Sequence, residues 1–166
     1  MTIVETMMVV AILGVIAALA TVGVSGYLRH AKTAEATRVL GNIEIGARAR
    51  FGQPVTLVEG GPFVHTFCPT STMLPASVPR SQRVKVDAAE WSAPTWQCLK
   101  FSINDPQYYA YRHEWNGESG TAARYTATAY GDLDGDGSTS TFQLIGRGGT
   151  GGDAERVSLI ITLEDE

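Results

Sequence analysis

The sequence predicts an α+β protein in which one long N-terminal helix carries an antiparallel β-rich head. Three observations lead there. An apolar run from Thr6 to Leu28 holds no charged residue. Directly after it, apolar residues recur at helical spacing as far as Phe51. Beyond Pro54 the chain breaks into short alternating segments divided by Gly and Pro. The expected organisation is a helix over 1–53, apolar in 1–28 and amphipathic in 29–53, and a head over 54–166.

The apolar run is long enough to cross a bilayer, which takes about 20 residues. A cleavable secretory signal carries positive charge ahead of a shorter apolar core. Here Arg29, His30 and Lys32 follow the run instead. By the positive-inside rule that order keeps the head in the cytoplasm. A basic leader once present before Met1 and since removed would reverse the expectation.

Glu5 is the informative residue of this segment. An acid near the end of a membrane helix is costly and needs a cationic or donor partner. No other charged side chain lies between positions 1 and 28. The nearby cation is the amino terminus, of the same chain or of an axially displaced neighbour. The alternative places Glu5 simply at headgroup level.

From Leu28 the stripe Ala36, Val39, Leu40, Ile43, Ala47 and Phe51 marks one helix face, with Arg29, Lys32, Glu35, Arg38, Glu44 and Arg48 on others. No heptad persists long enough for a coiled coil. Gly52 and Pro54 end the helix. Strands are expected at 83–86, 98–103, 108–115, 124–131, 140–147 and 157–163, laying one face of an antiparallel sheet on the stripe.

Two cysteines, Cys68 and Cys98, have no Cys or His partner at zinc spacing. Two readings stay open: a pair of buried thiols, or one disulfide worth roughly 3–4 kcal/mol by loop closure. The disulfide implies an oxidising compartment. Asp132, Asp134 and Asp136, with Gly135 and Gly137 between and after them, match the start of an EF-hand calcium loop. A full loop carries Glu at position 143, where Gln143 stands, so the ligand set would finish with backbone oxygens, Ser138 or Ser140. The same residues also suit a plain Asp/Gly hairpin turn.

Other chemistry finds no support. His30, His65 and His113 are far apart, no Gly-x-Ser-x-Gly elbow occurs, and 146–152 lacks the Lys of a phosphate loop. The expectation is a non-enzyme. A net charge of -4 gives no reason to expect nucleic acid as a partner. Trp91, Trp96, Trp115, Tyr108, Tyr109 and Tyr111 are expected in or on the sheet, since a base-stacking platform needs interleaved cations and only Arg112 is close.

The segment MTIVETMMVVAILGVIAALATVGVSGYLRHAKTAEA resembles the mature N-terminus of type IV pilins and pseudopilins. Thr2, Glu5, Gly14, Ala17, Ala18 and Ala20 fit that pattern. Met1 replaces the usual Phe, and Val22 stands where the family has proline. The resemblance covers about the first third of the chain. It implies the pilin fold and a filament subunit cut by a prepilin peptidase just before Met1, whose amine is then N-methylated. Met1, Thr2 and Glu5 would act in assembly, Glu5 pairing with a neighbour's amine. Implied partners are sister subunits, the inner membrane before assembly, and the pilus assembly machinery. The mature product would be a surface pilus serving adhesion, motility, DNA uptake or secretion. A type II secretion pseudopilin and a minor pilin share the same N-terminus.

Overall fold

The computed structural model describes residues 2–163, with backbone alone at 21–23, 25, 26 and 29. Met1 and the acidic end 164–166 lie outside the described residues. The architecture is α+β: a long helix α1 (Ile3–Phe51), a small hairpin, a short helix and an antiparallel sheet. At about 1.5 Å per residue, α1 is a rod of roughly 74 Å. It runs unbroken through Gly14, Val22, Gly23 and Gly26.

Both ends of α1 are sealed. Thr2 is the N-cap, and a capping box joins it to Glu5. At the other end the Gly52 N–H donates to the Arg48 carbonyl at 3.0 Å, and His65 Nδ1 donates to the Phe51 carbonyl at 2.7 Å. Pro54 cannot continue the ladder.

A two-stranded hairpin follows, β1 (Val55–Thr56) and β2 (Phe63–Val64). Helix α2 (Pro94–Cys98) starts with proline at its first position. The main sheet runs β3-β4-β5-β6 in chain order, comprising β3 (Ala110–Trp115), β4 (Arg124–Gly131), β5 (Ser140–Gly148) and β6 (Ala154–Thr162). All its pairings are antiparallel.

The helix lies on β4 and β5. Ala36, Val39, Leu40, Ile43, Ala47 and Phe51 are all buried, as are Tyr111, Ala127, Ala129, Phe142 and Leu144 of the sheet. Burying the four large stripe residues contributes roughly 6–12 kcal/mol of gross hydrophobic stabilisation. That is enough to fix the upper half of α1 as part of the head. Phe51 stacks on Phe67 at 4.6 Å and Phe67 meets a tilted Tyr125 ring at 4.7 Å, which closes the core over the helix end. The Cys68–Cys98 disulfide ties the loop region to α2.

Several expectations need correction. Segment 83–86 forms no strand, only a bridge between Val84 and Gln107. Segment 98–103 is the end of α2 and a turn, in which Lys100 has φ 51. Trp91 and Trp96 are buried outside the sheet, packed edge-on at 5.0 Å with Phe101 beside them. Glu35 and Glu44 lie off the apolar stripe as expected, and both reach partners in the head.

Candidate functional site

The first candidate site is the free end of α1. Thr2 has extended backbone (φ -86, ψ 156), so its hydroxyl reaches back over the first turn. It accepts from the Glu5 N–H at 3.4 Å, and the Thr2 N–H donates to Glu5 Oε2 at 3.3 Å. This reciprocal cap satisfies two orphan donors and puts the carboxylate at the positive end of the helix dipole. It supplies Glu5 with one neutral donor but not a counter-charge, and Met1, the other expected member, lies outside the described residues.

Above this cap, the 18 residues Ile3–Ala20 form a helix long and apolar enough to cross a membrane, and none of that segment is buried. Ile3, Met7, Val10, Leu13, Ile16 and Leu19 are all exposed. Such surface is stable only against lipid or protein. At Gly14 nothing lies within 4 Å of where a side chain would begin, so another helix can approach the backbone there.

The second candidate site is the loop between β4 and β5. Asp132 is buried, and its Oδ1 accepts from Gly135 N at 2.6 Å and its Oδ2 from Gly137 N at 3.1 Å. Arg80 lies 3.7 Å from Oδ2, and the Ser81 N–H donates to the Asp132 carbonyl at 2.8 Å. Asp136 Oδ1 accepts from Ser138 N at 2.6 Å, which holds its carboxyl below the usual carboxylate range. Gly135 and Gly137 sit at φ 85 and 97, conformations that favour glycine.

One oxygen from each of Asp132, Asp134 and Asp136 lies within 4.8 Å of the others. Two calcium–oxygen bonds of about 2.4 Å span that distance, so the donor set fits a hard cation. Its own hydrogen bonds already shape the loop, and Ser140 is buried and donates to the Gly131 carbonyl instead of facing the cluster. Gln143 lies within β5, paired with Thr128. A cation here therefore has three carboxylates and no bidentate Glu, which limits it to weak binding.

The partners of two structural acids escape sequence inspection. Arg156 Nε donates to Glu44 Oε2 at 3.0 Å, and its Nη2 donates to the same oxygen. Arg48 flanks Glu44 at 3.9 Å. Glu35 Oε1 accepts from Tyr108 N at 2.8 Å and from the Tyr111 hydroxyl at 3.4 Å. Burial, then the Glu35 charge, push the Tyr111 phenol well above its ordinary value. These two acids clamp α1 to both edges of the sheet. A step of about 100° per residue places Glu44 beside Phe51 and Glu35 beside Val39, one on each margin of the stripe. That flanking position was the available signal.

The structure thus joins Cys68 with Cys98, Thr2 with Glu5, and the three aspartates with one another. No family model, curated protein or solved structure matches this chain. What the fold itself defines is a disulfide-closed α+β head on a helical stalk whose lower half is apolar and uncovered.

Proposed function

We propose that this chain is the structural subunit of a type IV pilus-like filament, held in the inner membrane before assembly and exposed at the cell surface afterwards. One observation carries the reading. A single continuous helix buries one face in the head over its upper half, and Ile3–Ala20 of its lower half are uncovered. A monomer keeps that surface in lipid; a bundle of copies buries it against other copies. Lipid and a helix bundle are similarly apolar, so the bundle is selected by close packing and by polar contacts. Gly14, Ala17, Ala18 and Ala20 supply the first. Glu5, met by a neighbour's N-terminal amine, supplies the second and sets register.

The disulfide supports an oxidising location for the head. No catalytic role enters this reading, and calcium at the aspartate loop is secondary, stiffening the head. A type II secretion pseudopilin or a minor pilin would use the same contacts. Filaments sheared from cells producing the chain test the proposal. This chain is expected as their main component by mass spectrometry; recovery only as a membrane-bound monomer would refute it.

One observation favours a different reading, an anchored head that never polymerises. The capping box gives Glu5 a partner within its own chain, so a helix cap alone is a sufficient reason for an acid there. The two readings differ in whether the charge, rather than the hydrogen bond, is needed.

A further inference from the structure

At the foot of the head, where α1 leaves the apolar segment, a cleft of about 450 Å³ opens between the helix and the head. Lys32, Glu35, Arg38, Arg83 and Tyr108 line it. Lys32 Nζ lies 4.8 Å from the centroid of the Tyr108 ring, and Arg83 Cζ lies 4.7 Å from the same centroid. One ring therefore holds an ammonium and a guanidinium, one from the stalk and one from the head. The ring is fixed in turn by the Tyr108 N–H bond to Glu35.

The charges around the cleft do not cancel. Glu35 already accepts two hydrogen bonds from the head. Asp105 belongs to an adjoining cleft that shares Glu35, Arg38 and Arg83. Among the described residues, none of Lys32, Arg38 and Arg83 makes an ion pair. Three cations against two acids leave one positive charge without a counter-charge, which suits an anion.

Depth in the membrane points to what that anion is. Lys32 lies four positions beyond Leu28, the end of the apolar run, a rise of about 6 Å. The headgroup layer is about 5–8 Å thick on each side of the hydrocarbon core. Helical side chains lean towards the N-terminus, so Arg38, about 15 Å above Leu28, reaches back down towards the same layer. Resting on the membrane-anchored state proposed above, we propose that this cleft binds the phosphate of an anionic phospholipid headgroup and so holds the head against the bilayer. A guanidinium and an ammonium converging on one phosphate is the recognition chemistry; a zwitterionic lipid carries its own cation and competes poorly.

The test uses the full chain, reconstituted into phosphatidylcholine vesicles with and without phosphatidylglycerol, with bound lipid titrated by native mass spectrometry. Wild type is expected to retain phosphatidylglycerol preferentially. Each cation removed is expected to weaken that preference about fivefold, and the double variant K32Q/R83Q about twenty-five-fold. R147Q, which removes a cation on β5 that pairs with Glu155 away from the cleft, is expected to leave the lipid preference unchanged. Urea unfolding separates a folding defect from a binding one: every variant is expected to unfold in one transition, K32Q/R83Q at a slightly lower midpoint because it loses both ring contacts. Equal retention of the two lipids by an inserted wild-type chain, or undiminished preference in K32Q/R83Q, overturns the proposal while leaving anchorage intact. Inorganic phosphate binding the detergent-solubilised chain as tightly as the lipid overturns the lipid assignment. A chain that inserts into neither vesicle overturns anchorage and this proposal together.

Discussion

Replacing Gly46 by alanine tests how the stalk docks on the head. A Cβ at Gly46 would overlap the Leu99 carbonyl oxygen and lie 3.0 Å from its carbon and 3.2 Å from Leu99 Cα. These are backbone atoms, held by the Leu99 N–H bond to Thr95 at 2.9 Å and by the neighbouring disulfide. A rotamer change cannot relieve the contact, so the cost sits near the upper end of the 1–3 kcal/mol typical of overpacking. Against it stands about 1 kcal/mol gained by replacing glycine in a helix. The net expectation for G46A is a loss of about 2 kcal/mol, or about 4–8 °C in Tm for a chain of this size. Gly41, about 1.4 turns earlier, has nothing within 4 Å of its Cβ position. There the same substitution is expected to raise stability by up to about 1 kcal/mol. Urea unfolding of the detergent-solubilised chain, followed by tryptophan fluorescence, reads both, since Trp91 and Trp96 are buried close to Leu99 along the chain. A G46A chain as stable as G41A would refute the close helix–loop approach.

Other outcomes follow from the same structure. Converting Cys68 and Cys98 to serine is expected to cost about 3–4 kcal/mol, lowering Tm by roughly 10 °C in calorimetry. Burial lowers the His113 imidazole to about 4. The unfolded chain therefore binds the extra proton between about pH 6.5 and 4, and stability is lost as pH falls through that window, by on the order of 3 kcal/mol. His113→Leu is expected to flatten this slope in urea titrations at several pH values. Calcium at about ten times a dissociation constant near 10⁻³ M is expected to raise Tm by about 3–6 °C. An Asp134→Asn/Asp136→Asn chain is expected to show no such rise, and a wild type indifferent to calcium would remove the metal from the account.

The helix was legible because its signals are local. The apolar run, the stripe and the Gly52–Pro54 stop are each readable within a few residues, whereas the Thr2-x-x-Glu5 capping signature was there to read and was missed. Strands β3 to β6 were legible to within three residues at each end through alternation and Gly-rich turns. The Cys98–Ile103 segment misled because Leu99, Phe101 and Ile103 alternate with a strand's spacing, although Pro94 marked a helix start. The β1–β2 hairpin has strands of two residues, too short for any period to show. The partners of Glu44 and Asp132 were invisible for another reason: Arg156 is 112 residues from Glu44, and Arg80 meets Asp132 only through tertiary contact. No local pattern encodes such pairs. The uncovered lower half of α1, by contrast, was already written in 23 consecutive uncharged positions, 6–28.

Whether Glu5 acts by charge or only as a cap can be decided with one substitution, Glu5→Gln. Glutamine keeps an oxygen for the Thr2 N–H, since capping boxes accept Glu or Gln alike, but removes the negative charge. The account predicts that E5Q leaves helix content and head stability unchanged while electron microscopy finds no filaments. Wild-type filaments built from E5Q subunits would contradict it.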